Sequence, residues 1–235
     1  MEVFLQKWIL IIVLLIDISG FSTIYAQTDQ QNDTIGKSYV TINLLAPLDV
    51  YLPRWRMGYI KKIDNKWKIG LDIGYGNHDI TLSGFRNYIE EQYRIWEIRP
   101  QFYYILNPER KAENYVSVEL FYVNHKDVFD GGDYFSENGS FQQYDSANFR
   151  RQKYGINLIH GFLFYSKWRI GVNGYIGIGL KIRNNTFSDV INPKEMDPGI
   201  EGGDMAGIMD YRRVEGIKVG VNPVLGIKLY YKFYN

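Results

Sequence analysis

The chain has 235 residues, with 27 Lys and Arg against 26 Asp and Glu and a formal net charge of +1. That length suits one domain or two small ones, and the balance leaves no basic excess with which to neutralise nucleic-acid phosphates. The absence of cysteine excludes disulfide scaffolds, thiolate zinc sites and cysteine nucleophiles, while 16% aromatic and 23% charged residues do not describe a disordered chain.

The first element is an address. Lys7 precedes an apolar run from Trp8 to Ile16, and a more polar stretch with small residues follows up to Ala26-Gln27. The run is too short to cross a hydrocarbon core, which needs about 20 residues, so residues 1–26 read as a secretory signal cleaved near Ala26. Residues 27–36 are polar and aperiodic, a flexible periplasmic lead-in.

Beyond residue 36 no helical period is sustained. Eight segments alternate apolar and polar side chains, the period of two that extended strands produce. The first sets Val40, Ile42, Leu44 and Ala46 against Thr41 and Asn43. The second sets Tyr51, Pro53, Trp55, Met57 and Tyr59 against Arg54, Arg56 and Gly58. The third has the sharpest contrast: Trp67, Ile69, Leu71, Ile73 and Tyr75 against Lys68, Gly70, Asp72, Gly74 and Gly76. The fourth opposes Trp96, Ile98, Pro100, Phe102 and Tyr104 to Glu97, Arg99 and Gln101, and the fifth Val116, Val118, Leu120 and Tyr122 to Ser117, Glu119 and Phe121. The sixth opposes Tyr154, Ile156, Leu158, Phe162 and Phe164 to Arg151, Lys153, Gly155, Asn157 and Gly161. The seventh carries Trp168, Ile170, Val172, Ile176, Ile178, Leu180 and Ile182, and the eighth Ile217, Val219, Val221, Leu225, Ile227, Leu229, Tyr231 and Phe233.

The connections give an independent check. Those around Asp64-Asn65, Asn107 to Arg110 and Ser166-Lys167 are short, while 77–91, 128–146 and 183–213 are long; the connection around Pro47-Leu48-Asp49 is a short one on the long side. Outer-membrane barrels segregate short periplasmic turns from long outer loops in this way. Periodicity alone does not say which face is inside. A soluble barrel of the lipocalin kind would turn the apolar face inward and carry a small ligand. Three features favour the inverse: aromatics at the ends of the apolar face (Trp55, Tyr75, Trp96, Tyr104, Trp168, Tyr231, Phe233), Gly beside Arg and Lys on the polar face, and an aromatic final strand. The expected fold is therefore all-β, an eight-stranded antiparallel up-and-down transmembrane β-barrel over residues 37–235, in the outer membrane of a Gram-negative cell with both termini periplasmic.

The chain resembles the small eight-stranded outer-membrane barrels of the OmpA/OmpX type, and most nearly the outer-membrane barrel families common in Bacteroidetes. The resemblance is carried by the Ala26-Gln27 junction, Ile42-Asn43-Leu44-Leu45 with Pro47, Gly155-Ile156-Asn157, Tyr175 to Leu180 and Gly226-Ile227-Lys228-Leu229. It covers nearly the whole chain after residue 26. It implies fold and location and no established activity, and no periplasmic peptidoglycan-binding domain is expected after the last strand.

The polar face supplies the first candidate site. Arg54, Arg56, Lys68, Arg99, Arg151, Lys153, Arg169 and Lys181 are expected inside the barrel against Asp72, Glu97 and Glu119, as a salt-bridge network that fills the lumen. A narrow anion-selective pore is the sharper alternative. The loops are the second candidate. Asp130-Gly131-Gly132-Asp133, Glu137 and Asp145 lie in one, and Asp189, Glu195, Asp197, Glu201, Asp204 and Asp210 in another, without the spacing of a calcium loop. Met196, Met205, Ile208 and Met209 read as a small cap or a partner contact.

Of three histidines, His78 and His125 are expected at the surface, at outer strand ends. His160 falls on the apolar face, where an imidazole is costly, and so marks a lipid or partner contact unless a bulge turns it inward. No serine stands two residues away to pair with it as a nucleophile. No catalytic residue, metal or cofactor is assigned. The expected surroundings are outer-membrane lipid and lipopolysaccharide, the expected partner an extracellular protein or glycan met by the loops, and the expected state a monomer. A structural or surface-interaction role leads, ahead of a lipid A-modifying enzyme and a small-solute pore.

Overall fold

Alternation along each segment gives strands whose apolar sides all face one way, and such strands bury their backbone hydrogen bonds only by pairing edge to edge until no edge is left. The computed structural model describes residues 38–108, 110, 112–164, 169–196 and 213–233. The strands are β1 Ser38–Asn43, β2 Trp55–Lys62, β3 Trp67–Asn77, β4 Arg94–Ile105, β5 Ala112–Phe135, β6 Phe141–Phe164, β7 Ile170–Ile191, a short β8 Lys194–Met196 and β9 Gly216–Phe233. Each of the eight long strands pairs antiparallel with its neighbour in the chain, passing over β8. β1 also pairs with β9, Ser38 opposite Phe233 and Thr41 opposite Tyr230, so the sheet closes into an eight-stranded up-and-down barrel. The expected signal and lead-in, the Ser166-Lys167 turn and Trp168 lie outside the described residues.

Strand ends depart from expectation where side chains cap the backbone. Ala46 was expected on the first strand, yet β1 stops at Asn43, whose Oδ1 accepts from the amides of Leu45 and Ala46 at 3.0 and 2.8 Å. That Asx turn leads into a 3-10 turn over Ala46–Leu48, and Asp49 Oδ1 then accepts from the amides of Tyr51 and Leu52, both at 3.1 Å. Tyr51 and Pro53 therefore precede β2, and the first connection runs over 44–54. At the opposite end Asp64 Oδ1 accepts from Lys66 N at 2.7 Å and Trp67 N at 2.9 Å, which makes the β2–β3 turn tight.

Residues 128–146 and 183–191, expected as loop, are largely strand; of the rest of the expected 183–213 loop, residues 197–212, with Asp197, Glu201, Asp204, Met205, Ile208, Met209 and Asp210, lie outside the described residues. β5 and β6 are each 24 residues long and stay in register from Ala112 opposite Phe164 to Phe135 opposite Phe141, leaving only a turn over 136–140. β7 continues to Ile191. Both faces of this part carry polar and aromatic residues, so the apolar contrast that betrays a strand is weak there. The extension is held at its top. Val214 bridges Phe135, Glu215 N donates to Phe135 O at 2.9 Å, and the Glu215 carboxylate accepts from Phe187 N at 3.2 Å.

The interior is layered. At the tight-turn end Tyr39, Ile60, Tyr103, Ile105, Tyr115, Ile159, Leu163, Tyr175 and Tyr230 form one buried cluster. Its rings lie over glycines of neighbouring strands: Tyr103 over Gly70, Tyr115 over Gly161, Tyr175 over Gly226 and Tyr230 over Gly171. Towards the long-loop end lie Leu52, Tyr93, Ile95, Phe121 and Val123, and within the extension Tyr134, Tyr144, Ala147, Phe149 and Phe187. Charged side chains occupy the space between the first two.

Candidate functional site

Period two places Arg54, just before β2, and Arg56 on β2, with Glu97 and Arg99 on β4, on the inner wall. The Glu97 carboxylate accepts from Arg54 Nε at 2.7 Å and Arg56 Nε at 2.5 Å through Oε1, and from Arg99 Nε at 2.8 Å through Oε2. Arg99 Nη1 reaches Glu119 at 2.8 Å, Glu119 also accepts from Asn157 Nδ2 at 2.8 Å, and Asn222 donates to Asn157 Oδ1 at 2.8 Å. Arg54 Nη1 bonds Asp49 and the Leu52 carbonyl. Nearer the tight turns, Lys228 pairs with Asp72 at 2.5 Å and Lys68 with Glu113. Charges withdrawn from water persist only when paired and hydrogen-bonded, and these acids supply the partners.

Of the sequence-predicted set, Arg54, Arg56, Lys68, Asp72, Glu97, Arg99 and Glu119 are buried and joined by these contacts. Arg151 is buried as well, with Nε on Asn185 Oδ1 at 3.0 Å and its guanidinium over the Phe149 ring at 5.2 Å. Lys153 is half-buried over Phe121, 5.9 Å from the ring centre. Arg169 does not belong to the set. It precedes β7, is exposed, and donates from Nη1 to the Tyr231 hydroxyl at 3.2 Å on the outer wall. Glu113, Lys228 and Lys232 were missed as members of the buried interior. Lys228 and Lys232 stand on the polar face of the last segment, where their parity marks them; Glu113 lies just ahead of the fifth segment as read from its apolar residues.

The outer wall is the apolar one. Ile178 is 62% exposed and Val219 71%, whereas Glu97 is 0% exposed. Trp55, Tyr75 and Trp96 stand side by side across β2, β3 and β4. The Trp96 and Tyr122 rings are 5.1 Å apart, and Tyr122 is paired with Tyr154. At the tight-turn end Trp67 packs on Tyr104 at 4.9 Å and Tyr231 on Phe233 at 5.2 Å. Met57, Ile73, Ile98, Leu71, Leu158 and Ile178 lie between the two aromatic rows. Trp67 and Tyr75 are eight positions apart on β3, about 26 Å of strand at ~3.3 Å per residue.

His160 points outward on this wall between Val116 and Ile176, its cross-strand partners, and the register through it is unbroken, so no bulge turns it inward. His125 corrects the expectation of a surface residue. It is fully buried inside the base of the extension, 3.4 Å from Asp127 and 5.1 Å from the Tyr93 ring. The strands run on past it, so what looked like a strand end is a strand interior. Within the extension, burial and the nearby Asp133 push the Tyr144 hydroxyl up to about 12, against a smaller opposing effect of Arg213. Among the described residues no group of three or more His, Cys, Asp or Glu side chains could hold a metal ion. A cleft of about 370 Å³ lies at the tip of the extension, lined by Phe135, Glu137, Glu215 and Lys218 among others.

The sequence matches no protein-family model. It matches no curated protein. Among solved structures, the fold is similar to the crystal structure of a major outer membrane protein from Thermus thermophilus, with a TM-score of 0.37 and 10% identity, covering 83% of this chain and 99% of that one.

Proposed function

We propose that this chain is an integral outer-membrane β-barrel of the small OmpA/OmpX kind, with a lumen closed by side chains and a folded hairpin extension as its surface-interaction element. The carrying observation is the inversion of the faces: a continuous apolar wall outside, bounded by two aromatic rows, and a paired charge network inside. In water that wall would expose far more contiguous apolar surface than a soluble monomer tolerates; against lipid it is the required surface. The same inversion speaks against a lipocalin-like carrier, whose cavity would be apolar. Residues 1–26 act as the export signal in this reading, and the tight turns face the periplasm. The lumen network of Arg54, Arg56, Lys68, Asp72, Glu97, Arg99 and Glu119 then has a structural role: it fills and braces the barrel.

Electrophoretic heat-modifiability tests the proposal. Isolated outer membranes are run boiled and unboiled, and the unboiled protein is expected to migrate at a different apparent mass. Recovery in the soluble periplasm, with one mobility under both conditions, would overturn the reading.

A further inference from the structure

The outer surface carries a charge cluster that the barrel itself does not neutralise. Arg94 on β4 is the direct cross-strand partner of Lys126 on β5, and Lys126 is the direct partner of Arg150 on β6. All three are exposed and share the outward face with Trp96, Tyr122 and Tyr154. Directly opposed side chains stand about 5 Å apart at Cβ, and like charges in that relation repel. The described structure offers them no relief: none of the three forms an ion pair, and the single side-chain bond among them runs from Arg150 Nε to the neutral Asn124 Oδ1 at 3.2 Å. Two acids further out along these strands are engaged elsewhere, Asp130 by Ser146 and Asp189 by Asn148. Below the row, Gln152 Nε2 donates to the Tyr122 hydroxyl at 2.8 Å.

Position supplies the second half of the argument. Arg94 lies two residues beyond Trp96 on the same strand face, about 7 Å further from the tight-turn end. If the aromatic row marks the level where hydrocarbon meets headgroups, the three cations stand at the level of the phosphates. A row of three opposed cations is unfavourable alone and favourable once an anion lies across it. We infer that Arg94, Lys126 and Arg150 form a binding site for the phosphate groups of an outer-leaflet lipid, whose chains lie on the wall below Trp96 and Tyr122. This rests on the membrane reading above.

The test uses the full-length protein in detergent micelles doped with phosphatidic acid or with phosphatidylcholine of the same chains, bound lipid being measured by native mass spectrometry. Each cation near an anionic lipid contributes roughly fivefold in affinity, so the wild type should hold phosphatidic acid on the order of 100-fold more tightly than R94Q/K126Q/R150Q. Arg150→Lys, which keeps the charge, should retain most of the binding. The triple variant is altered only at exposed positions, and its heat-modifiable shift verifies that it folds. Equal retention of phosphatidic acid by the wild type and the folded triple variant would overturn the inference. Competition by millimolar inorganic phosphate as effective as that of the lipid would also overturn it, by making the site one for free phosphate. A protein that stays soluble without detergent and takes up neither lipid fails the membrane reading itself, a result distinct from insertion without preference.

Discussion

Glu97 stands among three guanidinium groups, and its removal would leave three cations facing one another in a closed space. Glu97→Gln is therefore expected to destabilise the barrel by about 3–5 kcal/mol, read as a lower urea midpoint in detergent micelles. The tyrosine–glycine contacts make a second residue-scale prediction. A Cβ at Gly161 would stand 2.5 Å from the Tyr115 ring, so Gly161→Ala must displace a ring bonded to Asn173 Oδ1 at 2.8 Å. The cost is about 1–3 kcal/mol by the same measurement, and Tyr115→Phe in that background should not restore it. At this scale the sequence was legible wherever parity decided the matter. Arg56, Glu97 and Glu119 follow from alternation with a strong apolar contrast beside them. Arg169 departs from the parity, its guanidinium lying beside the Tyr231 hydroxyl, and His125 departs because the alternation around it mixes aromatic and polar residues on both faces.

The hairpin of β5 and β6 is the element that sets this barrel apart. Its outer part packs with the end of β7 in a small core around Tyr134, Phe149 and Phe187, with Tyr134 and Phe187 stacked at 4.3 Å. Replacing 128–146 with a short turn is expected to leave the heat-modifiable barrel intact, because the register from Ala112 to Val123 does not use the extension. The Tyr144 hydroxyl gives a pH prediction at the same scale. Its folded value lies above the ordinary 10, so its contribution to stability is full below pH 10 and is lost as pH rises through about 12. Tyrosinate absorbance should therefore develop late for this residue, and Tyr144→Phe should remove one tyrosine's share of the late-developing signal. The extension was the least legible element. Strands standing in water need no apolar face turned to lipid, and without that contrast a polar strand and a polar loop look alike in sequence.

For the whole molecule, closure and filling decide what can cross. An eight-stranded barrel is just wide enough for its own side chains, and here a tyrosine layer lies beneath the Glu97 network. Planar bilayers containing the purified protein are expected to show no discrete conductance steps; regular steps would mean that the tyrosine layer opens. The strand count was readable from the eight alternating segments and the lengths of their connections, and the apolar wall most clearly from the contrast in the third and fourth. The capped strand ends were not, since they turn on local Asn and Asp side-chain bonds that alternation does not report, nor was the pairing of Lys228 with Asp72, which depends on how the strands are arranged around the lumen.

The seam between β1 and β9 bears on how the molecule comes into being. β1 has six residues, against 24 in each of β5 and β6, and its partner β9 is the last strand of the barrel. The ring cannot shut until the final segment has been delivered, and the ends that meet are separated by almost the whole barrel sequence. Closing so long a loop is entropically slow, so the nascent sheet must wait with one edge bare. For that interval the chain is most open to aggregation, and a chaperone or insertion partner that shields the waiting edge of β1 would act on the rate of assembly more than on the stability of the product.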